Sequence, residues 1–186
     1  MKKFLKIFLY YALIPNIASV LGNNNVKTPA IDGDDIVLTT DIDMSDSCSV
    51  ESGKSWTPIG NSATSFKGTF LGKGHHIDNL YINKTADTDN DQFNYQGLFG
   101  CISDGGSIDS LHVSGNLTGR TYVGGIVGYM NNRTMLSNCS FEGSVTGRSN
   151  RNYTGGLTGI LTYSSVLRNC HSAAEVNGGS YVGGLA

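Results

Sequence analysis

Carboxylates at alternating positions in Asp87-Thr88-Asp89-Asn90-Asp91 match the first three oxygen donors of a twelve-residue calcium loop. The match ends there. The sixth position, which needs glycine for a sharp turn, is Gln92, and the twelfth, which needs a bidentate carboxylate, is Leu98. The run therefore reads as a solvated acidic loop. A second acidic cluster comprises Asp41, Asp43 and Asp46. Asp41 and Asp43 would share one face of a strand, because side chains alternate along it. Two carboxylates about 5–9.5 Å apart can hydrolyse a glycosidic bond, so this pair is where a polysaccharide-cleaving site could be drawn. It precedes the repetitive part of the chain and falls near an expected end cap, which weighs against catalysis.

The histidines offer little more. His75 and His76 are adjacent, so in a strand they face opposite sides and do not readily bind one metal. His112 and His171 lie far apart in the chain, with no local ligand spacing between them. There is no H-E-x-x-H for a zinc peptidase, no G-x-S-x-G, no Walker A and no full G-x-G-x-x-G. Gly72-Lys73-Gly74 is too short for a phosphate loop. No catalytic, cofactor-binding or metal-binding residue is assigned, no cofactor is expected, and the chain reads as a non-enzyme.

Cys48, Cys101, Cys139 and Cys170 are widely scattered along the chain, with no C-x-x-C. That spacing supports neither a zinc ribbon nor a dithiol redox site. In an exported protein the four permit three disulfide pairings, and the spacing selects none. N-x-S/T sequons fall at Asn83, Asn116, Asn132, Asn138 and Asn152, and matter only in a host that glycosylates exported chains.

The elements that must carry these residues are repetitive. YVGGIVGYMNNRTMLSNCSFEGSVTG, residues 122–147, returns as YTGGLTGILTYSSVLRNCHSAAEVNG, residues 153–178, and begins again as YVGGLA at Tyr181. A looser copy, YQGLFGCISDGGSIDSLHVSGNLTG, covers 95–119, with Gln96-Gly97 in place of the glycine pair. Gly97, Gly125, Gly156 and Gly184 recur at a nearly constant interval. A fixed period of this size marks a solenoid or array. Within each copy the apolar runs are short and rich in β-branched residues, which predicts strands. The glycine pairs remove a Cβ where the chain turns tightly or takes a positive φ. One copy has too few apolar side chains to close a core, whereas stacked copies do. The expected fold is all-β: a right-handed parallel β-solenoid of about 28–31-residue repeats, its hand following the general preference of parallel crossovers. Stacking sets Cys170 over Cys139 with Leu111 in that slot below, and Asn169 over Asn138 with Ser110 below. The cysteines read first as buried small hydrophobes, with a disulfide as the alternative. The asparagines read as turn residues that pair between rungs, with a ligand-facing amide row as the alternative.

The order G-G-I/L-x-G, then N-C, then G-x-V-x-G resembles the GLUG repeat of bacterial surface proteins over about residues 95–186. Upstream, Trp56-Thr57-Pro58-Ile59-Gly60 and the run Phe66 to Ile82 are similar to the segment that commonly precedes such repeats, with Leu71 where aspartate is usual. The resemblance thus reaches about residues 36–186. It implies an adhesin-like surface protein, or the repeat region that precedes the catalytic part of immunoglobulin-A-cleaving metallopeptidases.

The remaining segments fit export. Residues 1–22, with Lys2, Lys3 and an apolar run ending near Val20, read as a signal peptide, an uncleaved anchor being the alternative. Residues 23–94 would form an N-terminal cap and first coils, with Trp56 and Phe70 plugging the end. Ile36 to Leu38 reads as a strand and Thr39 to Met44 as its return. Residues 95–186 would form the repeats, the last one truncated, with Val182 and Leu185 on an open edge prone to self-association. Thirteen basic residues against fifteen acidic ones leave no basic patch, so nucleic acid is not an expected partner. The reading is a secreted or cell-surface, non-catalytic repeat module with an adhesion or spacer role, and a piece of a longer protein. Its ligand, a glycan or a host protein, would meet exposed residues such as Tyr129, Arg133, Arg148, Arg151 and Tyr163. The alternatives are the remnant of a carbohydrate-active β-helix enzyme or the N-terminal part of a secreted metallopeptidase.

Overall fold

The computed structural model describes residues 36–51, 53–84, 94–148 and 153–186. The expected signal peptide, the acidic run 87–91, Asn152 and Arg151 lie outside the described residues. Among those described, parallel strands wind into a β-solenoid of about four turns.

The first rung contributes β1 (Ile36–Val37) and β2 (Ile42–Asp43). Both pair in parallel with one long strand, β3 (Thr69–Asn83), through Ile36–Phe70 and Ile42–Ile77. Residues 39–44 are therefore not a return. They continue the same rung in the same direction, because successive residues of one neighbouring strand supply their partners. The next coil runs through β4 (Tyr95–Gln96), β5 (Phe99–Ile102) and β6 (Ser107–Gly119). Above it come β7 (Tyr122–Gly124), β8 (Val127–Met130), β9 (Met135–Ser137) and β10 (Ser140–Gly147). They are followed by β11 (Tyr153–Gly155), β12 (Thr158–Leu161), β13 (Val166–Arg168) and β14 (His171–Asn177), and then β15 (Tyr181–Gly183).

These strands stack into three sheets that wrap one core. The longest path is β1-β3-β6-β10-β14, the second β15-β11-β7-β4, and the third β12-β8-β5. The register of the paired copies holds position for position: Ser140 pairs with His112 on one side and His171 on the other, and Val127 pairs with Phe99 and Thr158. One offset departs from the glycine spacing. Tyr95 pairs with Tyr122 and Gln96 with Val123, not with a glycine. The looser copy is one residue short at this turn, and Gln96, fully buried, takes an inward position.

The core follows from inward alternation on each sheet. Phe70, Ile77, Leu80, Phe99, Ile108, Leu111, Leu136, Phe141 and Val145 are each no more than 1% exposed. Trp56 and Phe70, the residues expected to plug the first coil, are both buried. The indole N–H of Trp56 donates to the carbonyl of Leu98 at 3.0 Å, and Phe70 meets Phe99 edge-on at 5.4 Å.

Corners turn on left-handed residues, and these are not the glycine pairs. Asp104, Asn132 and Tyr163 stack at one corner with φ of 52°, 57° and 48°, and Ser110, Asn138 and Asn169 stack at another with φ of 53°, 52° and 52°. Asparagine and aspartate tolerate this region because their short polar side chains bond locally. Gly124 and Gly125 have ordinary φ. Their need is space: a Cβ on Gly125 would stand 2.2 Å from the Phe141 ring, and one on Gly124 would stand 2.3 Å from the Val127 carbonyl.

Candidate binding surfaces along the solenoid

Asp41 and Asp43 bond between rungs. The Asp41 carboxylate accepts from the backbone N–H of His76 at 3.0 Å and lies 2.9 Å from Nδ1 of His75. Asp43 accepts from Asn79 Nδ2 and from the Ser45 backbone N–H, both at 2.9 Å. Both carboxyls are held below the usual range, Asp41 chiefly by the His76 N–H and Asp43 chiefly by the Asn79 amide. A glycosidase general acid needs the opposite shift. Asp46 is exposed nearby in the turn that follows.

The histidines divide as alternation predicts. His75 turns to Asp41, whereas His76 stacks on His112 with centroids 4.9 Å apart. Ser140 occupies the same column on the next rung and His171 the one after, so the column is interrupted. His112 Nδ1 lies 2.6 Å from Ser140 Oγ. No group of three His, Cys, Asp or Glu side chains able to hold a metal occurs among the described residues.

The asparagine ladder has an anionic foot. Asn169 Nδ2 donates to Asn138 Oδ1 at 3.2 Å, and Asn138 Nδ2 donates to Asp109 Oδ1 at 2.9 Å. Where the looser copy has Ser110 in the asparagine slot, the neighbouring Asp109 supplies the acceptor. Asp109 also accepts from Ser137 Oγ at 2.6 Å and Ser110 Oγ at 2.8 Å. These hydroxyls, Ser137 first, hold its carboxyl below the ordinary range. At the other corner, Asp104 pairs with Lys67 at 2.8 Å and accepts from Asn132 Nδ2 at 2.6 Å. Lys67 is the main reason its carboxyl lies down at about 2. The sequons at Asn132 and Asn138 therefore have side-chain amides already engaged, and Asn116 accepts from Ser144 Oγ at 2.8 Å; Asn83 is exposed.

The cysteine column is as stacked in sequence. Leu111 and Cys139 are buried, Cys170 is half-buried, and none of the four cysteines is in a disulfide. Each thiol of the stacked pair donates to backbone carbonyls, Cys139 to Ser137 at 3.0 Å and Cys170 to Leu136 and Arg168 at 3.3 Å. The neighbouring Cys170 thiol, and then burial, push Cys139 up, while the Cys139 thiol draws Cys170 down to about 6.

A tyrosine ladder is the most regular surface feature. Tyr95, Tyr122, Tyr153 and Tyr181 stack ring on ring with centroids 5.0, 5.4 and 4.7 Å apart and planes within 15°. Tyr129 folds onto its flank, 5.7 Å from Tyr122 and 6.1 Å from Tyr95. Each copy opens on one of these tyrosines, and that recurrence is the sequence signal of the ladder. Of the other expected contact residues, Arg133, Arg148 and Tyr163 are exposed; Arg133 and Tyr163 share one corner, where the Arg133 backbone N–H donates to the Tyr163 carbonyl at 2.9 Å, and Arg148 follows β10.

Among the described residues, two concavities border these features. One, about 560 Å³, lies among Lys73, Gly74, Asp109, His112 and Asn138, and its carboxylate is already saturated by the ladder. The other, about 450 Å³, lies between the loop 61–65 and the side chains of Tyr95 and Tyr129.

Comparison with known proteins fits this geometry. Residues 119–146 match the family model described as the GLUG motif. The chain is 32% identical over 121 residues, 64% of its length, to a protein of Evansella cellulosilytica provisionally named a Gly-rich membrane protein, of which it spans 13%. It is 35% identical over 125 residues to Halomucin of Haloquadratum walsbyi, of which it spans 1%. Among solved structures, a protein of Bacteroides ovatus provisionally named an immunoglobulin A1 protease superposes over 82% of this chain and 54% of its own, with a TM-score of 0.55 and 20% identity. That likeness is one of fold. The chain therefore carries the GLUG motif, set in a parallel β-solenoid whose neighbouring coils repeat its register.

Proposed function

We propose that this chain is a non-catalytic repeat module of a secreted or cell-surface protein, serving as a stiff spacer that also presents adhesive contacts. The observation that carries the reading is the tyrosine ladder, a continuous stack over four rungs that returns the same group to the same place each time. A rod with repeating contacts binds through many weak engagements whose effective concentrations multiply. The names of the two relatives, a membrane protein and a halomucin, agree with a site outside the cell. Labelling of intact cells with an antibody to residues 94–148 tests it. Signal without permeabilisation is expected, and signal only after permeabilisation would remove the reading.

A second reading has one observation behind it, the solved relative named as a protease. On that reading the solenoid is an arm attached to a peptidase. The gene sequence downstream decides, since an H-E-x-x-H on the same reading frame would establish it. At the far rung, Val182 and Leu185 are 48% and 41% exposed. We propose that a second copy can add there, as an edge strand does. A sedimentation measurement should show dimers that Val182→Lys abolishes.

A further inference from the structure

The groove between the loop 61–65 and the tyrosines is built in a way the rod does not need. In the rung above, Phe99 to Ile102 run as an unbroken strand, β5. In the rung below, Ile59 pairs with Phe99 and Phe66 with Ile102, so six residues span what two cover above. The excess bulges outward as a shelf. Asn61 fixes its shape: its Oδ1 accepts from the backbone N–H of Ala63 at 2.9 Å and of Thr64 at 2.8 Å, and its own N–H donates to the Thr64 carbonyl at 2.9 Å. Ser65 Oγ lies 2.5 Å from Ser103 Oγ, which pins the shelf to the neighbouring rung. The facing wall is Tyr95 and Tyr129, ring centroids 6.1 Å apart and inclined at 40°. Cys101 forms the floor and is only 3% exposed.

We propose that this groove binds a neutral oligosaccharide. Its volume, about 450 Å³, is that of a small-ligand site, and its walls are largely preformed. The apolar C–H faces of a pyranose pack against phenol rings, while its hydroxyls need uncharged donors and acceptors in alternation. The shelf and far end supply these in Thr64 and Asn131. The charged lining groups, Lys67 and Asp104, neutralise each other at 2.8 Å. That pair offers one donor and one acceptor to neighbouring hydroxyls but no net charge to attract an anion. A peptide adding as a strand would need an open sheet edge, and both long sides of this rung are already paired. Adhesion through a glycan deepens the surface-module reading and takes its biological setting from it, but the binding itself is tested on the isolated chain.

Titrate the purified full chain calorimetrically with mannopentaose, cellopentaose, chitopentaose and, as an anionic comparison, pentagalacturonate. At least one neutral sugar should saturate, and Tyr129→Ala should weaken it at least about tenfold, as loss of a stacked aromatic contact does. Because Tyr129 also touches the ladder, Ala63→Arg provides an independent block: it fills the groove from an exposed shelf position and should abolish binding at unchanged Tm. Glu142→Ala, at an exposed position of β10 in a different sheet, should bind as the parent does. No saturation by any neutral sugar overturns the proposal, as does a preference for pentagalacturonate, or binding by Ala63→Arg equal to the parent. Failure here leaves cell-surface labelling untouched, and cytoplasmic labelling leaves the sugar titration untouched, so the two readings fall separately.

Discussion

The ring of Phe141 lies against the Cα of Gly125 so closely that a Cβ there would stand 2.2 Å from its Cγ. This contact, not a special backbone angle, accounts for the second glycine of the pair. Gly125→Ala should destabilise the chain by about 1–3 kcal/mol through overpacking, read as a fall in Tm. Gly184 holds the same repeat position on the last rung, where a Cβ would meet nothing within 4 Å. Gly184→Ala should leave Tm nearly unchanged. Equal effects at the two sites would mean that the glycines serve the backbone after all.

The contrast also shows what could be read in the chain before its fold was known. Strand, period and stacking partners were legible because the copies at 122–147 and 153–178 repeat so closely. Cys170 over Cys139 and Asn169 over Asn138 both emerged from counting. The N-terminal rungs were less legible because their spacing is irregular. The steps from Ile36 to Phe70 and from Phe70 to Ile108 are unequal, and both are longer than the step from Ile108 to Leu136. A short apolar run beside another then looks like a hairpin, although both pair in parallel with β3. The one-residue deletion that sets Gln96 beside Val123 was hidden for a different reason. Spacing counts residues, whereas sheet register counts hydrogen-bonded partners, and a turn can shorten without disturbing either neighbour. The shelf at 61–65 left no trace in the period at all, since the extra residues leave the rung and return to it.

Asn138 combines a left-handed φ of 52° with a side-chain bond to Asp109, and substitution can separate the two. Asn138→Gly keeps the backbone permissive and loses only the amide, which should cost about 1 kcal/mol. Asn138→Ala loses the amide and adds the left-handed penalty of about 1–2 kcal/mol. Denaturant unfolding should therefore rank the parent above Asn138→Gly, and Asn138→Gly above Asn138→Ala. If both variants unfold at the same midpoint, the angle carries no cost at this corner.

Acid should loosen both corners. The folded carboxyls of Asp104 and Asp109 lie below 3.8, their ordinary value, and Asp104 lies at about 2. A depressed folded pKa gives stability that is fully present above the unfolded value and lost as pH falls through the folded one. Tm should therefore hold steady above about pH 5 and decline between about pH 4 and 2. Asp109→Asn keeps an acceptor for the ladder without the charge, so its Tm should be lower at pH 7 and decline less steeply in acid. A variant as steep as the parent would show that the dependence arises elsewhere.

The two stacked thiols should differ in reactivity by rung. Thiolate, not thiol, is the nucleophile. Cys170 is half-buried and drawn down to about 6 by the Cys139 thiol, whereas Cys139, Cys48 and Cys101 are buried, and burial pushes Cys48 up. Iodoacetamide at pH 7 should therefore modify Cys170 first in the folded chain, with the other three reacting after denaturation. The rate at Cys170 should rise through an inflection near pH 6. Cys139→Ala removes the neighbouring thiol, so the inflection should move up toward the ordinary 9.0. Peptide mapping by mass spectrometry across a pH series reads both effects. An inflection that stays near 6 in Cys139→Ala would assign the shift to the Arg168 backbone or its surroundings. The stacking of the two sulfurs would then be a packing contact without chemical consequence.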